Sequence, residues 1–248
     1  MRPSVWIADN SGVVGVGCLA MRPRLLLFDI DGTLMHAGDI GRQTFIAALV
    51  SHGATPKVVD NIRFAGMTDR GIMRAALTGS GLPADEITVT RLLERYVDNL
   101  EASLKNGGAM QCSLCPGVVP LLELLAGLPH IRLGLGTGNV EWGAWLKLKV
   151  VQLHRHFAFG GFGSDHEDRG EVLRVAAQRG AQAERLPLSS CDVVVIGDTP
   201  RDIAAAKAIN APCLAVATGG FHRGTLYAEG ATWVVEDLRD PRVARLLS

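Results

Sequence analysis

Arg24-Leu25-Leu26-Leu27-Phe28-Asp29-Ile30-Asp31-Gly32-Thr33 is the stretch on which the fold of this 248-residue chain turns. An apolar run, 25–28, stops abruptly at an aspartate. A run that does not alternate with polar residues has no solvent face, so it reads as a strand covered on both sides. The design recurs downstream. Residues 131–135 run into Gly136-Thr137, 193–196 into Gly197-Asp198, 214–216 into Ala217-Thr218, and 232–235 into Glu236-Asp237. Helical patterns fill the intervals over 118–125, 140–153, 171–179 and 203–209. Alternating strand and helix predicts an α/β fold: a Rossmann-like parallel sheet with helices on both faces and right-handed crossovers.

Between His36 and about Cys115 the alternation lapses, and only helical signals remain. Thr55-Pro56 pairs a capping residue with proline at a first helical position, and Thr68-Asp69 can cap a helix running to Leu77. Val89, Leu92, Leu93, Tyr96, Val97, Leu100 and Leu104 follow three–four spacing, which gives a long amphipathic helix. The expected organisation is a core of residues 22–35 and 116–248 interrupted by an all-helical insert over 36–115. Met-Arg-Pro occurs at Met1 and again at Met21, just before the first strand. Residues 1–21 are therefore expected to be a dispensable, disordered extension.

Composition narrows the function. With 48% hydrophobic residues the chain can bury a core, and no apolar run is long enough to span a bilayer. Lys+Arg and Asp+Glu both number 25, so nothing favours general binding to nucleic acid or an anionic membrane. Five cysteines make an odd count in a long chain, which suits a reducing cytoplasm better than a disulfide framework. Cys112 and Cys115 form one CxxC with no second pair at zinc spacing, and read as ordinary thiols near a loop. Without a coiled-coil pattern a monomer is the default.

Ligands of parallel sheets bind beyond the carboxyl ends of the strands. Asp29 and Asp31 follow the first strand, Thr137 the second, and Asp198 and Asp202 the third. Carboxylates gathered at one point repel one another and are tolerated only around a cation. Hard oxygen ligands without histidine or cysteine select Mg²⁺. Thr137, with the backbone of Gly138 and Asn139 at a helix start, makes an anion cradle. Acid cluster, cation and cradle together point to phosphoryl transfer.

Asp29-Ile30-Asp31-Gly32-Thr33 resembles the DxDGT signature of the haloacid dehalogenase-like superfamily. Residues 133–137 are similar to its second motif and Gly197-Asp198-Thr199-Pro200-Arg201-Asp202 to its fourth. The likeness covers residues 22–240 and is strongest to the phosphoglycolate phosphatase-like and β-phosphoglucomutase-like branch, whose helical cap falls where the insert does. The resemblance implies a nucleophilic Asp29 that forms an aspartyl phosphate, and Asp31 as acid and then base. It implies Mg²⁺ on the Asp29 carboxylate, the Asp31 carbonyl and Asp198, with Asp202 close by, and phosphate held by Thr137, Gly138 and Asn139. Thr33 would orient Asp31. The family's lysine is missing from residues 161–171, and Arg169 stands in for it as the cation beside Asp29 and the phosphate. Lys147 and Lys149 lie on the preceding helix at the wrong spacing.

The expected activity is thus Mg²⁺-dependent hydrolysis of a small phosphorylated metabolite. A phosphomutase is the alternative on the same scaffold. A phospho-aspartate receiver is about half this length and lacks the insert, and a non-catalytic binding protein has no need of so full a set of groups. Several residues have plainer readings. Asp202 can simply cap the following helix. Thr68, Asp69 and Arg70 read as a helix cap with a solvated arginine. Trp142 and Trp145 read as packing residues, and Thr218-Gly219-Gly220 as an ordinary loop.

Overall fold

A computed structural model describes residues 21–248; the extension expected over 1–21 lies outside the described residues except for Met21. Strand β1 (Arg24–Phe28) is the centre of the sheet, with β4 (Ile131–Gly136) on one side and β6 (Asp192–Gly197) on the other. Beyond β4 lies β5 (Phe159–Gly161), and beyond β6 lie β7 (Cys213–Val216) and β8 (Trp233–Val235). All five pairings are parallel. The chain leaves β1 towards β4 and leaves β6 towards β7. Their connections diverge, so a crevice opens between the carboxyl ends of β1 and β6.

The pleat of β1 explains why its apolar run is continuous. Leu25 and Leu27 face one side, packing with Leu173 and Ala176 of α7 (Arg169–Ala183) and with Ile203 and Ala206 of α8 (Pro200–Ala208). Leu26 and Phe28 face the other. There they join Leu122 and Leu125 of α5 (Val118–Ala126), Leu148 of α6 (Glu141–Val150), and Val243 and Leu247 of α10 (Pro241–Leu247). Helix α9 (Arg223–Ala228) adds Leu226 to the first layer.

The insert leaves and re-enters through a two-residue ribbon, β2 (Met35–His36) antiparallel to β3 (Ser113–Leu114). Strand β3 falls where only helix was expected, because two residues are too few to show a period. Between the ribbon strands run α1 (Ile40–Ser51), α2 (Pro56–Asp60), α3 (Asp69–Gly79) and α4 (Glu86–Lys105). They enclose a separate core in which the Phe45 ring lies tilted against Tyr96, centroids 4.8 Å apart, and meets Phe64 edge-on at 5.4 Å. Thr68 caps α3 by accepting from Gly71 N, whereas Thr55 makes no side-chain cap for α2. No helix among the described residues is long and apolar enough to cross a membrane.

Leu27 is fully buried between β1 and the α7/α8 layer. Leu27→Ala is expected to lower unfolding stability by about 2–5 kcal/mol. Ile87→Ala, at a side chain 73% exposed on α4, should change it by no more than about 0.5 kcal/mol. Denaturant melts compare the two.

Candidate active site

The β1/β6 crevice opens into a cavity of about 430 Å³ between the sheet and the insert. Asp29, Asp31 and Asp198 form its floor, Lys147 and Arg169 border it, and Phe45, Phe64 and Tyr96 roof it from the insert. Asp29 continues β1 in register: its N–H donates to Ile196 O of β6 at 2.9 Å. The chain then turns sharply. Gly32 adopts φ +83°, its N–H bonds Met35 O, and a Cβ there would stand 2.5 Å from Asp198 Oδ2. Glycine is therefore required both by the left-handed turn and by the approach of the β6 aspartate.

Three carboxylates, Asp29, Asp198 and Asp202, offer oxygens within 4.8 Å of one another, and all are buried. Burial pushes the Asp29 carboxyl above its ordinary range; Arg169 opposes the rise, while Asp202 and Asp31 add to it. Burial likewise drives Asp198 upward, reinforced by Asp202 and Asp29. Thr33 Oγ1 donates to Asp198 Oδ1 at 3.1 Å, so Thr33 orients Asp198 and not Asp31 as expected from sequence. The reason is the turn at Gly32, which swings residue 33 towards β6.

Arg169 opens α7 and reaches into this cluster. Its Nη2 lies 2.9 Å from Asp29 Oδ1 and 2.5 Å from Asp202 Oδ1, and its Nε donates to Asp202 Oδ1 at 2.8 Å. Nη2 is buried between the two carboxylates, close to both but without a well-angled hydrogen bond to either. Asp202 is engaged on both oxygens. Oδ2 accepts from Thr199 N at 3.0 Å and Thr199 Oγ1 at 2.7 Å, closing a capping box at the start of α8, while Oδ1 holds Arg169. Its role in the structure is to cap the helix and anchor the arginine, which leaves Asp29 and Asp198 as the open carboxylates.

Asp31 differs from its neighbours. Its side chain keeps 43% of its exposure. Burial raises its carboxyl, but Lys147, helped by a hydrogen bond from Asn139, outweighs that effect and holds it below the ordinary range. Lys147 reaches from α6 with Nζ at 2.9 and 2.7 Å from the two Asp31 oxygens. Sequence spacing discounted this lysine, because α6 packs across the crevice at an angle that residue intervals do not encode. The signal was present nonetheless: one lysine sits on the otherwise buried face of Ala144 and Leu148.

The loop after β4 carries the residues expected to cradle the phosphate. Thr137 is fully buried beneath the cavity, and its Oγ1 accepts from Asn139 N at 3.3 Å and Nδ2 at 2.9 Å. The helix start itself is taken: Val140 N donates to Asp69 Oδ2 at 2.8 Å and Glu141 N to Ser164 Oγ at 3.1 Å. Gly138 and Asn139 do line the cavity. A Cβ on Gly138 would fall 2.1 Å from Met67 O and 2.8 Å from Arg169 Nη1, so the bare backbone lets insert and guanidinium close on the loop.

Two segments with plain sequence readings also reach the site. Asp69, expected to be part of a helix cap, is buried against the core; its N–H donates to Gly138 O at 2.7 Å, and burial pushes its carboxyl up to about 6. Arg70 instead pairs with Glu86 on the insert. Thr218, Gly219 and Gly220 line the cavity, with Thr218 Oγ1 donating to Gly32 O at 2.5 Å. Trp145 packs beside Phe162, and Trp142 is 55% exposed.

The chain matches the haloacid dehalogenase-like hydrolase family over residues 26–216 and belongs to that family. Phosphoglycolate phosphatase 1 of Pseudomonas aeruginosa is 28% identical over 229 residues, covering 88% of this chain and 78% of the relative. A phosphoglycolate phosphatase of Xanthomonas campestris is 28% identical over 201 residues, covering 79% and 84%. Among solved structures, CbbY of Rhodobacter sphaeroides in complex with phosphate superposes with TM-score 0.66 at 17% identity, covering 89% of this chain and 96% of that one. The structure of a predicted phosphatase from Clostridium acetobutylicum gives 0.64 at 18%, covering 91% and 98%. These two likenesses concern the fold.

The donor set suits Mg²⁺. Asp29, Asp31, Asp198 and Asp202 bring four carboxylates, and among the described residues only Lys147 and Arg169 answer them. A divalent cation would supply the missing charge, and the open oxygens are hard ligands. Mg²⁺ at about 100 times its Kd should then stabilise the fold by about 2.7 kcal/mol, a rise in Tm of about 5–10 °C. Asp198→Asn should remove most of that rise. Thermal melts with and without the ion test this, and equal shifts in the two proteins would refute the assignment.

Proposed function

We propose that this protein is a Mg²⁺-dependent phosphatase that hydrolyses a small phosphorylated metabolite through an aspartyl phosphate on Asp29. One observation carries the reading: Asp29 faces the cavity with Arg169 Nη2 2.9 Å from its Oδ1, and Asp31 lies two residues further on at the same floor. Family membership and the phosphoglycolate phosphatase names of the curated relatives support it.

In this reading the Asp29 carboxylate attacks phosphorus as the bond to the leaving oxygen breaks. Asp31, whose carboxyl Lys147 holds low at rest, takes up a proton from solvent as the ester enters, gives it to that oxygen, and then takes a proton from the water that opens the aspartyl phosphate. Inorganic phosphate leaves and Asp29 is restored. Arg169, at the cavity beside Asp29, holds a phosphoryl oxygen in a geometry guanidinium suits. Asp29, Asp198 and the Asp31 carbonyl would hold Mg²⁺, which when bound offsets charge on the carboxylates and the phosphoryl oxygens. The insert over 36–115 acts as a cap that excludes bulk water and selects the leaving group.

The test is a panel of phosphomonoesters, with 2-phosphoglycolate first, assayed with and without Mg²⁺. Turnover should depend on the ion and fall by about 10⁴-fold or more in Asp29→Asn, with the circular dichroism spectrum unchanged. Activity that persists in Asp29→Asn, or no turnover of any phosphomonoester by the folded wild type, would sink the reading. Arg169→Ala should cost about 100-fold in kcat/KM, and a loss within about twofold would remove Arg169 from the site.

A further inference from the structure

We infer that Lys147 is a positioning residue for Asp31, fixing the carboxyl group that serves the leaving oxygen and the hydrolytic water. The inference rests on the phosphatase reading and goes beyond it, because neither the signature motifs nor the Asp29–Arg169–Asp202 cluster involves this lysine.

Lys147 is buried, 4% exposed. An ammonium group has three hydrogens to donate. All three are directed: to Asp31 Oδ1 at 2.9 Å, Asp31 Oδ2 at 2.7 Å and Asn139 Oδ1 at 2.7 Å. Asn139 completes the ring, donating from Nδ2 to Asp31 Oδ2 at 2.8 Å and to Thr137 Oγ1 at 2.9 Å. The carboxyl group is thus held by a closed ring built from the turn after β1, the loop after β4 and helix α6. The insert meets the ring where α1 passes: a Cβ on Gly41 would be 3.6 Å from Lys147 Nζ.

The geometry separates the two cations of the site. Arg169 contacts Asp29 and Asp202, and Lys147 contacts Asp31 and Asn139; the ion pairs share no member. A lysine placed only to neutralise the floor needs no such directed set. Asp31 retains 43% side-chain exposure, so without the ring its carboxyl group has room to rotate away from a bound ester. A misplaced acid costs most where the leaving oxygen needs a proton. An alkyl phosphate needs one, and p-nitrophenyl phosphate, which expels a stable phenolate, does not.

The experiment compares these two substrates in Lys147→Met, which keeps the length of the stem and removes the donors. With the alkyl phosphate that the wild type turns over best, kcat/KM should fall about 100-fold, the lower range for general acid catalysis. With p-nitrophenyl phosphate, kcat/KM should fall less than about threefold. In an Asp31→Asn background the same substitution should add nothing further on the alkyl phosphate, because its effect passes through Asp31. Equal losses on both substrates, or a full additional loss in the Asp31→Asn background, would overturn the inference while leaving the phosphatase reading intact. Absence of wild-type turnover on every phosphomonoester would overturn both. Should Lys147→Met not reach the native circular dichroism spectrum and a cooperative melt, Lys147→Gln, which keeps one donor, carries the same comparison and the same criteria.

Discussion

Four carboxylates converge at the ends of β1 and β6, and two cations face them. Asp29, Asp198 and Asp202 are buried, where like charges are costly unless paired or shared with a cation. Much of the surrounding structure meets that constraint. Arg169 is drawn from the start of α7 into the cluster, and Asp202 is held on both oxygens so that it can anchor the guanidinium. Lys147 is drawn from α6 to Asp31. Asp29 and Asp198 keep a surplus of negative charge at the floor, the feature on which the proposed Mg²⁺ site rests.

The same constraint shapes the contact between core and insert. Asp69 places a further buried carboxyl group above the floor, held by the Val140 N–H, while its own N–H meets Gly138 O. Thr68 Oγ1 donates to Glu167 O, Arg74 Nε to Glu167 Oε2, and Arg201 Nη1 to Ala65 O. The insert therefore rests on the phosphate-side loop and on the residues flanking Arg169. Its position and the geometry of the site are coupled through backbone groups, so a substitution at Asp69 acts on the α6 start as well as on the cap.

Where the sequence was legible, the physics was local. The strands at 24–28, 131–135, 193–196 and 214–216 show themselves by unbroken apolar runs, since a strand covered on both faces has no polar side. Helix α4 shows itself by its three–four spacing. Strand β5 escaped because Phe159-Gly160-Gly161 is three residues long and two of them have no side chain to carry a pattern. The ribbon strands β2 and β3 are shorter still. Arg169 could be singled out as the one cation in a stretch without lysine. Lys147 shows itself only as a lysine on the buried face of α6, at no family spacing, and the fold alone brings its Nζ to Asp31.

By itself the sequence determined the layered α/β core, and it brought forward a helical insert and Asp29 and Asp31 as candidates, since each reading rests on side-chain type and short-range order along the chain. Tertiary structure alone decided how the charges were shared out. Thr33 serves Asp198, Asp202 caps α8 and grips Arg169, Thr137 lies beneath the cavity, and Lys147 takes Asp31. Pairing among buried ions depends on which oxygen lies within about 3 Å of which nitrogen. That distance is set by the angles at which helices from distant parts of the chain cross the sheet, and no interval between residue numbers carries it.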